Sequence, residues 1–387
     1  MLLFAYLFSV GARFFGLPRV VGQIMAGFFL GLPFLQPLLF TPENGPIFQF
    51  LADVGILLLF FFTGLEVDIR SFEKTAKESC SISFFNTVIP LTGGYFLSSL
   101  VFGFSSLVSL IIGISLAVSS QAISLDLLDE SNMMKSKIGK LIISAGSIDD
   151  LFELFLVSIL LVLFHINIEQ VSLIRFFLNI FFFVIIVFVF KWWFVPLVLH
   201  VFEQEQSRSY LFMGSFILVL LMAWLSEQLG IGSLIGAFIT GMLVRYTLLT
   251  GKKRKYWEEH EISRSVHTIS FGFLIPLFFV WVGVNTQIVS IFAQTKYLFP
   301  LLLIDIGGTV FGTMIGVMLL GGTVREGVTV GWGVTPKGDT ELIIATLALT
   351  GGLIDKKIYT LIVMIAFLTT VIAPVMFKYS LQKITTR

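Results

Sequence analysis

Asp149, Asp150 and Glu153 fall within one helical turn of an otherwise apolar run, a placement that suits holding a small cation or a proton. Glu153 lies four residues after Asp149 and three after Asp150, so it shares a helix face with one or both. Three carboxyls this close cannot all stay ionised in a medium of low dielectric, and at least one keeps its proton. Adjacent residues on a helix point about 100° apart, so only one of the aspartates need face an ion. The other is free to bond a neighbouring helix. That bonding role falls more readily to Asp149, and the ion-facing role to Asp150.

Further polar groups stand where an apolar chain has little use for them. Ser119 and Ser120, followed by Gln121, interrupt the preceding apolar segment, and an unwound turn there would offer hydroxyl and backbone carbonyl oxygens to a cation. In Pro336-Lys337-Gly338-Asp339-Thr340-Glu341, Pro and Gly break a helix while Lys337, Asp339 and Glu341 add charge. Asp305 lies about nine residues into another apolar run, with Thr309 one turn later on the same face. As a buried acid, Asp305 needs a partner such as Lys337 or Lys191.

The elements that position these groups are set by composition. At 56% hydrophobic, 13% charged, 43 Phe and a mean hydropathy of +0.97, there is too little polar surface for a soluble globule of 387 residues. Lipid is the expected solvent. Apolar runs give about 13 helical spans, near 2–16, 18–38, 47–67, 80–102, 106–127, 139–165, 171–202, 210–228, 232–249, 267–287, 296–320, 329–355 and 357–380. Their continuous apolar character argues for helices and against barrel strands. Cys80 stands alone, which excludes an internal disulfide and a cysteine metal cluster. The start reads as a first span and not as a removable signal peptide.

Basic residues alternate between loops as the positive-inside rule requires. One set of loops holds Arg13, Arg19, Arg70, Lys74, Lys77, Lys135, Lys137, Lys140, Arg208, Lys252, Lys253, Arg254, Lys255, Arg264 and Arg325; the other holds Arg175, Lys296, Lys356 and Lys357. This predicts a multi-pass cell-membrane protein, N-terminus outside and C-terminus cytoplasmic. The two halves are faintly similar: Ile56 to Ile69 aligns with Ile275 to Ile288, and Gly22, Phe28 and Gly31 recur as Gly232, Phe238 and Gly241. An odd number of spans separates each pair, which predicts inverted-topology repeats over 1–170 and 210–387, joined by a linker helix over 171–209.

At these residues the chain resembles the monovalent cation:proton antiporter family, in the branch of NapA-type sodium exchangers and Kef-type potassium efflux proteins. Gly139 to Asp150 resembles that family's run into a paired-aspartate centre, Ala117 to Ser120 its Thr-Ala-Thr-Ser, Pro336 to Asp339 its Pro-Arg-Gly-Glu, and Gly64 to Asp68 its Gly-Leu-Glu-hydrophobic-Asp. The resemblance implies an all-helical homodimer with two crossed, discontinuous helices, in which a core domain moves against a scaffold. It also implies that Asp150 binds the ion, with Asp149 beside it. NapA-type exchangers carry a lysine where Thr309 stands here. Without it, Asp150 alternating between cation and proton predicts electroneutral exchange, one for one, unless Asp149, Glu153 or Asp305 carries an extra proton.

The reading is therefore a transporter exchanging Na+, or another monovalent cation, for H+ by alternating access, without a cofactor, a resident metal or a nucleic-acid partner. The alternative is a Kef-type K+/H+ exchanger, disfavoured because Kef-type proteins have Gln-Asp at the paired position and the chain shows no Gly-rich nucleotide-binding pattern. An intramembrane enzyme is disfavoured because His260 and His267 fall in the basic loop and His165 and His200 at span ends. A channel fits less well than a single midplane acidic cluster within repeats.

The segment Lys252 to Glu261 reads as an anchor to anionic lipid and not as a pH sensor. Replacing His260 and His267 by Gln should leave the pH profile of transport in vesicles unchanged. A shift of about one pH unit, the scale of an altered histidine titration, would overturn that assignment.

Overall fold

A computed structural model describes residues 1–66, 72–165, 173–203, 208–250 and 264–385, and all regular structure among them is helical. The basic loop with His260, together with Val67, Asp68 and Arg70, lies outside the described residues. In chain order the helices are α1 (Leu2–Phe14), α2 (Arg19–Leu30), a single turn α3 (Gln36–Leu39) and α4 (Gly45–Glu66). Next come α5 (Phe72–Phe96), α6 (Ser106–Ala117), α7 (Gln121–Glu130) and α8 (Lys137–His165). Then follow α9 (Leu173–Val189), α10 (Val195–Glu203), α11 (Arg208–Gln228) and α12 (Ser233–Thr250). The remainder are α13 (Arg264–Asn285, with a π-helical turn at Ser270–Leu274), α14 (Ile288–Ile291), α15 (Thr295–Leu319), α16 (Val324–Val334), α17 (Asp339–Thr350) and α18 (Lys356–Thr385).

Six of the described helices are long and apolar enough to cross a membrane, and five shorter apolar ones accompany them. Three of the expected spans are not single helices. The run 18–38 stops at Leu30 and resumes only as α3, because Gly31 ends the helix and Pro33 cannot continue the backbone ladder. The run 106–127 is divided into α6 and α7 by an extended segment at Val118–Ser120. The run 329–355 is divided into α16 and α17 at 335–338, where Pro336 supplies no N–H and Gly338 is extended.

The chain forms two compact units. The first comprises Met1–Thr41, Ile69–Val157 and Phe279–Arg387; the second, Pro42–Asp68 and Ser158–Phe278. In the first unit α5 and α15 approach backbone to backbone. A Cβ added at Gly312 would sit 2.3 Å from the Phe85 carbonyl oxygen, and one at Gly316 would sit 2.7 Å from Ile82 Cα. A similar contact joins α2 to α13, where a Cβ on Gly27 would lie 2.2 Å from the Val280 carbonyl oxygen. Ile82, Leu128, Ile142, Val334 and Phe377 form an apolar cluster that packs α5, α7, α8, α16 and α18 together.

In the second unit α4 and α12 close on each other. A Cβ on Gly64 would lie 2.1 Å from the Phe238 carbonyl oxygen, and one on Gly241 would lie 2.3 Å from that of Phe61. Arg245 donates to the Leu65 carbonyl at 2.6 Å, placing positive charge at the C-terminal end of α4. Lys191, in a π-helical turn between α9 and α10, lies 4.4 Å from the Tyr246 ring centroid.

Replacing Gly312 by Val forces α5 away from α15. Overpacking of this kind costs about 1–3 kcal/mol, so G312V should lower the apparent melting temperature in detergent. An unchanged melt would show that the contact is looser than described.

Candidate ion-binding site

The carboxyls on α8 meet the break between α6 and α7. Asp149 is 2% exposed and accepts three hydrogen bonds, from Ser83 Oγ, from Asn86 Nδ2 at 2.9 Å and from Ser119 Oγ at 3.2 Å. Glu153, one turn on and also buried, accepts from the Ser119 backbone N–H. That N–H has lost its helical carbonyl because the chain is extended there, so Glu153 satisfies a donor freed by the break. Asp150 is partly exposed and accepts no hydrogen bond among the described residues.

The second break lies against the first. Ser120 N–H donates to the Pro336 carbonyl oxygen at 2.9 Å, joining the two interruptions through their backbones. Ser120 also caps α7, its hydroxyl accepting from the Ile123 N–H at 3.5 Å. Gly338 lies close to the first break, since a Cβ there would sit 2.7 Å from Ile123 Cδ1 and 3.3 Å from Ser120 Oγ. Asp339 opens α17 with the Ser120 side chain and its own first N–H groups as partners. Thr370 of α18 donates to the Lys337 carbonyl oxygen, so the unwound segment is held from that side as well.

Lys337 is fully buried. Its ammonium donates to the Leu116 carbonyl oxygen at 2.9 Å and forms an ion pair with Asp305 Oδ1 at 3.4 Å. Of the two partners open to Asp305 from sequence, Lys337 is therefore the one in place. Thr309 is also fully buried, and its hydroxyl has no hydrogen-bond partner among the described residues. Glu341, on the first turn of α17, is 1% exposed, and neither carboxyl oxygen has a hydrogen-bond partner among the described residues. Sequence reasoning singled out Asp149, Asp150, Glu153, Ser119 and Ser120 but missed Ser83 and Asn86. Their signal was present, a Ser and an Asn three residues apart on one face of an apolar helix.

The sodium/hydrogen exchanger transmembrane family matches residues 1–383. The chain belongs to that family. It is a multi-pass membrane protein by that membership and by its apolar helices. It is 27% identical to the Na(+)/H(+)-K(+) antiporter GerN of Bacillus cereus, over 94% of this chain and 90% of that one. It is also 27% identical to a Na(+)/H(+) antiporter of Enterococcus hirae, over 96% and 94%. With a probable Na(+)/H(+) antiporter of Methanocaldococcus jannaschii the identity is 29%, over 94% and 91%. Its fold is similar to the solved sodium proton antiporter of Methanocaldococcus jannaschii at pH 8, with a TM-score of 0.63 and 15% identity, covering 98% of this chain and 94% of that one.

In this exchanger the helix ends at the crossing carry complementary charge. Lys337 faces the C-terminal carbonyls of α6, while Glu153 and Asp339 stand at the starts of α7 and α17, in agreement with the helix dipoles. Removing the lysine alone leaves Asp305 as an uncompensated charge, and breaking a buried pair in this way costs about 3–5 kcal/mol. K337M should therefore melt markedly lower than the parent in detergent. The double variant K337M/D305N should recover much of the loss, and a double variant no more stable than K337M would show that the ion pair is not the reason.

Proposed function

We propose that this protein exchanges Na+ for H+ across the cell membrane by alternating access, and that Asp150 is the group that carries the cation and the proton in turn. The observation that carries the reading is the division of labour on α8. Asp149 is committed to three donors from α5 and from the break, Glu153 to a backbone N–H, and Asp150 alone is partly exposed and unbonded among the described residues. Its neighbours Asp149 and Asp339, with the hydroxyls and carbonyls freed at the α6–α7 break, would supply oxygen donors suited to a hard cation. The cation binds the ionised carboxylate on one side of the membrane, and a proton replaces it on the other. The names of the related Na(+)/H(+) antiporters support the substrate.

Support for inverted repeats comes from packing. A long helix, a broken helix and a long helix follow in order as α5, α6–α7, α8 and again as α15, α16–α17, α18. The glycine contacts are reciprocal too. Gly27 of α2 meets Gly283 of α13, and Gly241 of α12 meets Gly64 of α4, so the second span of each half packs on the third span of the other half. The crossed breaks are then the centre of the repeat pair. The homodimer, and a cytoplasmic C-terminus, follow from the family resemblance and the distribution of basic residues.

D150N replaces a titratable acid by a near-isosteric amide that still hydrogen-bonds. It should abolish Na+-dependent proton movement in everted vesicles while leaving the melting behaviour in detergent near that of the parent. D149N should be milder in transport and worse in stability, because it disturbs three hydrogen bonds. Normal Na+/H+ exchange by D150N would sink the assignment. The salt series should include K+, which the name of one relative contains.

A further inference from the structure

Asp305, Lys337 and Glu341 form a second buried cluster that the Asp150 site does not use. Asp305 faces the Lys337 ammonium at 3.4 Å, while Glu341 has Asp305 and Lys337 as its charged neighbours and no hydrogen bond to either carboxyl oxygen among the described residues. All three are 0–1% exposed. Two carboxylates and one ammonium leave a net negative charge in an apolar interior, which is strongly disfavoured. One proton cancels it. That proton belongs on Glu341, because Asp305 already touches the ammonium while neither Glu341 oxygen accepts a hydrogen bond among the described residues.

We propose that Asp305, Lys337 and Glu341 constitute a second proton-binding site, whose proton resides on Glu341 and is released when the cation binds at Asp150. This rests on the Asp150 reading and differs from the one-for-one exchange suggested by Thr309. Two features couple the clusters. Lys337 is shared, since its charge also acts on Asp149 while its ammonium donates to the Leu116 carbonyl at the end of α6. A cation arriving beside Asp149 and Asp150 repels the ammonium, and its charge shifts toward Asp305 and Glu341. Glu341 is also on the first turn of α17, where the helix dipole favours a carboxylate over the neutral acid. With the ammonium displaced toward it, Glu341 exists as a carboxylate and its proton leaves to water.

The step breaks two carboxyl O–H bonds, and each proton forms a new O–H bond on water. One proton leaves Asp150 and one leaves Glu341 as a single Na+ enters, and both protons return when the cation departs. Each turnover then moves one net charge.

The test counts protons. Purified protein in weakly buffered detergent solution is mixed with NaCl, proton release is read with a pH-indicator dye, and bound Na+ is measured with the radioactive isotope. The parent should release two protons for each Na+ bound, and E341Q should release one, a twofold loss. D305N should also release one, because Lys337 then pairs permanently with an ionised Glu341. A parent releasing one proton for each Na+ overturns the proposal whatever the variants do, as does an E341Q that still releases two. Release that is the same in D150N as in the parent would instead overturn the Asp150 reading. In proteoliposomes with a K+/valinomycin potential and no pH gradient, Na+ flux should follow the potential in the parent and lose that dependence in E341Q.

Discussion

A helix interrupted inside a membrane exposes backbone donors and acceptors that lipid cannot satisfy, and the first unit is organised around meeting that requirement twice. The interruption at Val118–Ser120 gives its N–H groups to Glu153 and to the Pro336 carbonyl, and the carbonyl of Leu116 to Lys337. The interruption at 335–338 is held by Ser120 and by Thr370. Each break supplies hydrogen-bond partners to the other. Asp149 and Glu153, which flank Asp150 on α8, are thus structural partners of the first break.

Close packing makes this arrangement attainable. Gly308, Gly312 and Gly316 let α15 lie against α5, which positions Ser83 and Asn86 as donors to Asp149. With both its oxygens engaged, Asp149 is fixed in orientation, and the adjacent Asp150 is turned away by the helix geometry alone. Pre-organisation of one acid therefore leaves the other available. The same economy operates at Lys337, where one ammonium serves a helix end and a carboxylate together.

Much of this was legible in the sequence because buried charge is rare in an apolar chain. Asp149, Asp150, Glu153, Lys337 and Asp305 stood out by type and depth alone, and Pro336 with Gly338 marked the second break. The first break was harder to read. Val118, Ser119 and Ser120 contain neither Pro nor Gly, so nothing local forbids a helix there; it is the distant Glu153 and Pro336 that stabilise the extended form. Ser83 and Asn86 were missed for a related reason, since a small polar residue in an apolar helix ordinarily bonds its own backbone. Gly31 and Pro33 announced the end of α2, but hydropathy alone ran through them.

Leu116 and Lys337 are separated by 221 residues. A ribosome adding about 5–20 residues per second needs on the order of 10–40 s to cover that distance. Until Lys337 is made, α6 lacks the ammonium that later meets its carbonyl end, and the three acids of α8 lack that positive charge nearby. The nascent half must keep those carboxyls protonated or remain sheltered at the insertion machinery. The carbonyl end of α6 is therefore completed only once the segment Pro336 to Glu341 has been made.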